Sequence, residues 1–158
     1  MLLYLVRHAA AAPPSPDRPD AARPLTGEGE RKFAAAVRGA ERLRWRLDVV
    51  YHSPLLRAVQ TAALLKPLLR GPLRVLPDLA RAPDVELLAH VEGERVALVG
   101  HEPYLSALLA WLVTGEIAAG ERLAFKKGGV ATLEGPLRPG AMTLRAMLPP
   151  KILRKLGA

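Results

Sequence analysis

Two short segments of this chain are apolar at every position, and they constrain its fold more than any other feature. Residues 2–6 and 96–99 show no alternation of polar and apolar side chains. Such runs predict strands that are buried on both faces, the usual state of a parallel sheet with helices on each side. In open sheets of this kind, sites form at the carboxyl ends of the strands.

Strand and helix patterns alternate along the rest of the chain. Strands are predicted at 2–6, 47–51, 73–76 and 95–99, helices at 27–44, 53–65, 84–90 and 103–112, and two late strands at 128–134 and 141–148. Thr26 is expected to cap the first helix, and Ser53 with Pro54 to begin the second. The proline-rich residues 9–24 are expected to form a loop over the sheet edge. This order predicts one domain, residues 1–158, built as a three-layer α/β/α sandwich with a mostly parallel central sheet.

Length and composition narrow the class of protein. The chain has 158 residues, of which 50% are hydrophobic, so we expect a globular domain with a real core. It lacks any apolar window approaching the roughly 20 residues that span a bilayer, and it begins with a strand rather than a signal peptide. It contains no cysteine, which excludes disulfides and thiolate chemistry. We therefore expect a cytoplasmic protein with no membrane partner.

The chain is strongly basic. Its 23 Lys and Arg against 15 Asp and Glu give a formal charge of +8. This excess suits phosphorylated substrates, and it would also suit nucleic acid. The arginines are scattered and only 4% of residues are aromatic, so no nucleic-acid partner is expected. Few amides, no thiols and many prolines fit a thermophile, although a biased genomic composition leaves the same traces.

Residues with phosphate chemistry follow three of the predicted strands. They are Arg7 and His8 after the first strand, Ser53 and Arg57 after the second, and His101 after the fourth. Guanidinium groups donate in a planar fork that matches phosphate oxygens, and helix N-termini add partial positive charge. The pattern therefore predicts a pocket for a tetrahedral phosphoryl group.

The two histidines predict covalent catalysis. A guanidinium beside His8 lowers the pKa of the imidazole, which keeps it neutral and nucleophilic. Attack on phosphorus would give a phosphohistidine that water later opens, while His101 donates to an equatorial oxygen. Because arginines and imidazoles supply the charge in a loose transition state, neither a metal nor another cofactor is expected.

Four sequence blocks resemble those of a known family, the histidine phosphatase superfamily, which is also called phosphoglycerate-mutase-like. Residues 5–8 are similar to the R-H-G signature of the family, with Ala9 in the glycine position, and residues 53–62 are similar to its S-P-L-x-R-A-x-Q-T-A segment. Residues 99–103 are similar to the segment around its second histidine. Residues 23–29 are similar to the R-P-L-T-x-x-G segment of the small bacterial SixA-type phosphohistidine phosphatases. The resemblance covers residues 2 to about 112, and the ten-residue block is its most specific part.

The resemblance implies roles by position. His8 would be the phosphorylated nucleophile. The remainder of the phosphate pocket would consist of Arg7, Arg57 and His101. Arg23 and Ser53 are candidate substrate-binding residues. Ala9 in place of glycine removes backbone freedom beside the nucleophile, which bears on the loop geometry more than on the chemistry.

The general acid is the least defined part of the site. The resemblance implies that larger members of the family carry a glutamate, which serves as the general acid, in a segment inserted after the third strand. Here that segment is short, and Asp78 and Asp84 are the candidate proton donors. A compact site admits a phosphorylated side chain of another protein, and a phosphoramidate needs a strong acid less than an ester does. The expected substrate is therefore a phosphohistidine on a protein.

The sequence is also compatible with other functions. The main alternative is a phosphatase of small phosphomonoesters such as sugar or nucleotide phosphates. A non-catalytic phosphate-binding module and a nucleic-acid role are weaker hypotheses. His52 is expected to be structural or at the pocket rim, and His90 to lie on the surface. The basic residues 151–155 are expected to form a solvated tail, which could also meet an acidic partner.

Overall fold

The computed structural model describes residues 1–158 and contains a central six-stranded sheet. Its strands are β1 (Leu2–Arg7), β2 (Val49–His52), β3 (Leu73–Val75), β4 (Arg95–Gly100), β5 (Val130–Glu134) and β6 (Thr143–Leu148). Their spatial order is β3-β2-β4-β1-β5-β6. The first four strands are mutually parallel, and β5 runs antiparallel to both of its neighbours. The prediction of a mostly parallel sheet is confirmed.

Helices cover both faces of this sheet. They are α1 (Gly27–Arg42), α2 (Leu56–Leu64), α3 (Val85–Ala89), α4 (Tyr104–Thr114) and α5 (Pro150–Leu156). One apolar core lies between the sheet and α1, α2 and α5, and a second lies between the sheet and α3 and α4. The three-layer α/β/α arrangement is therefore confirmed. None of the helices combines the length and apolar character needed to span a bilayer.

The alternation of side chains in β1 explains its unbroken apolar sequence. Leu3 and Leu5 enter the core beneath α4, whereas Tyr4 and Val6 enter the core beneath α1. Each of these side chains is buried, so neither face of the strand tolerates a polar residue. Burial of one such leucine contributes roughly 2 kcal/mol.

Strand register brings the polar residues to one level of the sheet edge. Arg7 pairs with Gly100, and His52 pairs with Val99. The residues that leave the carboxyl ends of these strands are His8, Ser53 and His101. The topology therefore delivers all three to the same side of the sheet.

The start of α2 differs from the sequence prediction, although the start of α1 agrees with it. Thr26 Oγ1 accepts a hydrogen bond from the Gly29 amide at 2.9 Å, as expected of an N-cap. The prediction that Ser53 caps α2 is wrong, because the helix begins at Leu56 with Leu55 at the N-cap position. The Ser53 hydroxyl instead accepts from the Leu55 amide and contacts His101, so it is not available to cap the helix.

The predicted solvated tail is also wrong, because these residues form α5, which packs against α1. Leu153 is buried in the core beneath α1. Gly39 of α1 permits this approach, because a Cβ atom at that position would lie 1.9 Å from the Leu153 carbonyl oxygen. The contact is backbone against backbone, so only glycine fits there.

Replacement of Gly39 with Ala is expected to lower the free energy of unfolding by about 2 kcal/mol, because α5 must move away from α1. The measurement is urea denaturation of both proteins. Gly27→Ala is the matched control, since a Cβ there meets only the Arg31 side chain, at 3.4 Å. Equal stability of the Gly39 variant and the wild type would contradict this view of α5.

Candidate active site

The structure brings the two predicted catalytic histidines together. The ring centroids of His8 and His101 are 5.1 Å apart, with an angle of 48° between the ring planes. Both residues are buried, with 6% of their surface exposed. Two imidazoles at this separation can both contact a single tetrahedral group that is bound at their shared edge.

The tautomer of His8 follows from its hydrogen bond. Its Nδ1 lies 2.7 Å from the carbonyl oxygen of Ala9, which can only accept, so Nδ1 carries the proton. In the neutral ring, Nε2 then holds the free lone pair. The Nε2 atom of His8 is therefore the ring nitrogen that can act as a nucleophile.

Helix α2 holds the backbone beside His8 in place. The Ala9 amide donates to Thr61 Oγ1 at 3.0 Å, and the Thr61 hydroxyl donates to the Arg57 carbonyl at 2.7 Å. Ala9 keeps a negative φ, so alanine meets no conformational penalty where the family pattern has glycine. Gln60 accepts from the Leu25 amide at 2.8 Å and fixes the far end of the loop. These contacts give structural reasons for the threonine and glutamine of the ten-residue block.

His101 is oriented by Ser53. Its Nε2 lies 2.7 Å from Ser53 Oγ, and the same oxygen accepts from the Leu55 amide at 3.2 Å. Ser53 is fully buried. Its hydroxyl is thus engaged with His101 and the backbone.

Arg57 and Arg23 converge on Asp20 in the loop of residues 9–24. Arg57 Nη2 lies 3.1 Å from one carboxylate oxygen of Asp20, and Arg23 Nε lies 2.8 Å from the other. Arg57 Nη1 also donates to the Asp20 carbonyl at 2.9 Å. The Arg57 side chain is only 7% exposed, whereas that of Asp20 is 62% exposed. An accessible carboxylate therefore occupies donors that a phosphoryl group would also use.

Arg7 turns toward a different loop. Its Nη1 donates to the Phe125 carbonyl at 2.5 Å, while its buried Nε has no hydrogen-bond partner. Burial lowers the pKa of Arg7, and the carboxylate of Glu102 opposes that shift. Glu102 accepts from the Ser106 hydroxyl at 2.6 Å through one oxygen and leaves the other buried and unpartnered.

The sequence predictions missed two carboxylates near the pocket. Asp20 stands three residues before Arg23, and Glu102 directly follows His101. The i, i+3 spacing of Asp20 and Arg23 could have suggested an ion pair, but Arg57 lies 37 residues from Asp20 and no local signal links them.

Burial and charge keep both imidazoles neutral. Desolvation lowers the pKa of His8 to about 4, helped by the charges of Arg57 and Arg7 and opposed by the hydrogen bond to the Ala9 carbonyl. Desolvation also lowers the pKa of His101 to about 3, helped by His8 and Arg57. Neither ring is protonated near neutral pH, so the lone pair of His8 is available there.

The structure does not bring the two candidate proton donors into contact with these histidines. Asp78 and Asp84 both bind Arg81, and Asp78 also lies 3.3 Å from His90 Nδ1. Asp84 caps α3 through the Leu87 amide, and that hydrogen bond lowers the pKa of its carboxyl group. Arg81 shares a small cavity with His101, so these acids stand one side chain away from the pocket.

Asp78, Asp84 and Glu86 form the one cluster of acidic side chains close enough to share a cation. Arg81 already bonds to all three of them. Its guanidinium supplies the positive charge that the cluster needs, so the cluster does not fit a metal site.

Comparison with known proteins identifies the family. The sequence profile of branch 1 of the histidine phosphatase superfamily matches residues 3–82. The chain belongs to this superfamily. It is also 33% identical over 154 residues to an uncharacterized protein of Picosynechococcus, an alignment that covers 92% of this chain and 90% of that protein.

Structural similarity places this histidine phosphatase in the SixA-type branch. The structure of the protein histidine phosphatase SixA complexed with tungstate superposes with a TM-score of 0.81 at 26% identity, covering 97% of this chain and 99% of the other. A SixA-type protein of Nakamurella multipartitia superposes with a TM-score of 0.76 at 28% identity, covering 92% and 94%. The protein is thus a phosphatase of the phosphoglycerate-mutase-like fold.

The low pKa values of this histidine phosphatase predict an unusual titration. Because His8 and His101 titrate near 4 and 3, their imidazole NMR signals should stay constant as the pH falls from about 8 to 5. The measurement is a two-dimensional NMR titration of the ring signals, assigned with single histidine variants. A midpoint near the ordinary value of about 6.5 for either ring would contradict the buried, neutral pair.

Asp20→Asn is expected to bind a tetrahedral oxyanion, probed with tungstate as a test inhibitor, about fivefold more tightly. The variant removes a negative charge from Arg57 and Arg23, which leaves both guanidiniums free to attract an oxyanion. The measurement is the inhibition constant at low ionic strength. Asp17→Asn is the matched control, because it makes the same charge change in an exposed part of the same loop. Weaker inhibition in the Asp20 variant would show that the carboxylate supports the pocket instead of competing for it.

Proposed function

We propose that the protein is a phosphohistidine phosphatase, which removes the phosphoryl group from phosphohistidine on a protein through a covalent phospho-His8 intermediate. The observation that carries this proposal is the paired histidine geometry: His8 presents Nε2 as a free lone pair, and the ring of His101 lies 5.1 Å away. Membership of the SixA-type branch agrees with the proposal.

In the first step, His8 Nε2 attacks phosphorus and forms a P–N bond. The P–N bond to the substrate imidazole breaks, and its electron pair stays on the leaving nitrogen, which takes up a proton from solvent. Arg7, Arg57 and His101 would bind the equatorial oxygens, where charge stabilisation supplies most of the rate. A loose transition state requires little of the protein beyond this positioning.

In the second step, water attacks phosphorus and the bond to His8 breaks. The electron pair returns to Nε2, one proton leaves the water, and inorganic phosphate is released. The hydrogen bond from Nδ1 to the Ala9 carbonyl persists through both steps and keeps the ring oriented. The enzyme is thereby restored to its starting tautomer.

Ser53 and Arg23 would have supporting roles. Because the Ser53 hydroxyl contacts His101, we assign it to orienting that ring, so that it acts on the substrate through His101. Arg23 would contact the phosphoryl group or the substrate beside it once Asp20 is displaced. A phosphoramidate leaving group needs less help from a general acid than an alkoxide does. This agrees with a site in which the candidate acids, Asp78 and Asp84, are both bonded to Arg81.

The proposed setting is the cytoplasm, with residues 1–158 acting as one domain on a phosphorylated protein. Tungstate is a tetrahedral oxyanion, and SixA has been solved in complex with it. We therefore expect tungstate to inhibit this enzyme by occupying the pocket between the two histidines. The proposed reaction uses neither a metal nor a nucleic-acid partner.

Turnover of matched substrates tests this function. A phosphohistidine-carrying protein domain is compared with p-nitrophenyl phosphate and with sugar and nucleotide monophosphates. We expect kcat/KM to be highest for the phosphohistidine protein. Faster turnover of the esters would favour the alternative, a phosphatase of small phosphomonoesters. Binding without release of phosphate would indicate a non-catalytic module.

A further inference from the structure

A small basic cavity lies beside the nucleophile, outside the phosphate pocket. Its volume is about 50 Å³. It opens next to Ala9 and Ala10, the two residues that follow His8. The lining consists of Ala9, Ala10, Gly29, Phe33, Gly128 and Pro150 together with three cationic side chains.

The three cations of this cavity are Lys32, Lys127 and Arg154. The side chains of Lys127 and Arg154 make neither a hydrogen bond nor an ion pair, although Arg154 is half-buried. Lys32 pairs with the exposed carboxylate of Glu28, and the charge of Arg154 also acts on that carboxylate. The cavity therefore carries more positive charge than its surroundings neutralise.

This excess charge is close to the reaction centre. The amide of Gly128, the residue after Lys127, donates to the His8 carbonyl at 3.0 Å, so the backbone beside Lys127 adjoins that of the nucleophile. Cations that hold no partner in the folded chain are available to an outside anion at little desolvation cost. A ligand bound here would lie next to the chain segment that follows His8.

We propose that this cavity is a second anion-binding site, which holds an acidic side chain of the phosphoprotein substrate next to its phosphohistidine. The inference rests on the proposed function, and it adds the recognition of a neighbouring carboxylate. The volume of about 50 Å³ fits a compact group such as a carboxylate, because a cavity of this size has room for only a few water molecules. The formal charge of +8 would also attract an acidic partner surface from a distance.

Matched phosphohistidine peptides test this site. One set carries Glu at two, three or four positions from the phosphohistidine, and the other carries Gln at the same positions. At low ionic strength we expect at least one Glu peptide to have a kcat/KM about fivefold higher than that of its Gln counterpart. Arg154→Gln should abolish this preference and leave turnover of the Gln peptide unchanged.

Lys155→Gln is the matched control, because it makes the same charge change on α5 at an exposed residue outside the cavity. It should keep the preference for Glu. Equal turnover of the two sets by the wild type, or a preference that survives Arg154→Gln, would overturn the second site while leaving the phosphatase function intact.

Binding separates the two hypotheses if neither set is hydrolysed. In that case the proposed function fails. Fluorescence anisotropy with labelled peptides and the same proteins then tests, independently of catalysis, whether the cavity binds an anion. Tighter binding of the Glu peptides that depends on Arg154 would support an anion site. Equal binding of Glu and Gln peptides would reject it.

Discussion

His8→Ala is expected to lower turnover by about 10⁴-fold or more and to remove all labelling of the enzyme by phosphate, because the variant has no nucleophile to form the covalent intermediate. The fold should survive, since the backbone contacts of the Ala9 amide with Thr61 do not involve the imidazole. Steady-state kinetics on the phosphohistidine protein and circular dichroism provide the two readouts.

His52→Asn is a close control for this change. His52 also follows the pattern of a buried histidine at a strand end, with Nδ1 bonded to the carbonyl of the next residue, Ser53, at 2.9 Å. The Asn amide can replace that donor, so activity should remain within about tenfold of the wild type. Loss of activity in the His52 variant with full activity in the His8 variant would reverse the assignment.

Arg57→Ala is expected to reduce kcat/KM by about 10²- to 10³-fold, the usual cost of losing one donor to a developing oxyanion. Its side chain is only 7% exposed, so packing holds the guanidinium in place and its donors become available once Asp20 is displaced. Arg57→Lys should recover little, because an ammonium group cannot reproduce a planar two-point contact. Inhibition by tungstate should weaken in both variants.

Arg74→Ala serves as the control for charge. Arg74 is exposed on the edge strand β3 and its side chain makes no hydrogen bond, so the same loss of one positive charge there should leave kcat/KM nearly unchanged. Comparable losses in the Arg57 and Arg74 variants would mean that the net charge of the protein, and not the pocket, determines the rate.

The core of the site could be predicted because it depends on strand order and chain direction. Residues that follow parallel neighbouring strands must leave the sheet at one edge, so His8 and His101 had to approach each other once β1 and β4 were recognised. The apolar runs that predict those strands are short and have clear boundaries in the sequence. The register of the strands then sets the level at which each side chain emerges.

Features that depend on long-range contacts could not be read from the sequence. Helix α5 has Leu153 as its single buried residue, so it shows no helical period, and its position depends on the closeness of Gly39. The ion pair of Asp20 with Arg57 joins residues 37 positions apart. The Ser53 hydroxyl bonds to His101 instead of capping α2, and this contact between residues distant in sequence cannot be predicted from local helix propensity.

The most direct measurement is the capture of the phosphoenzyme. Enzyme mixed with a phosphohistidine protein is quenched in alkali, where phosphohistidine persists, and is digested for mass spectrometry. We predict one phosphate per chain, carried on Nε2 of His8. A covalent phosphate on any other residue, or turnover with no phosphate on His8 at any quench time, would contradict the proposed mechanism.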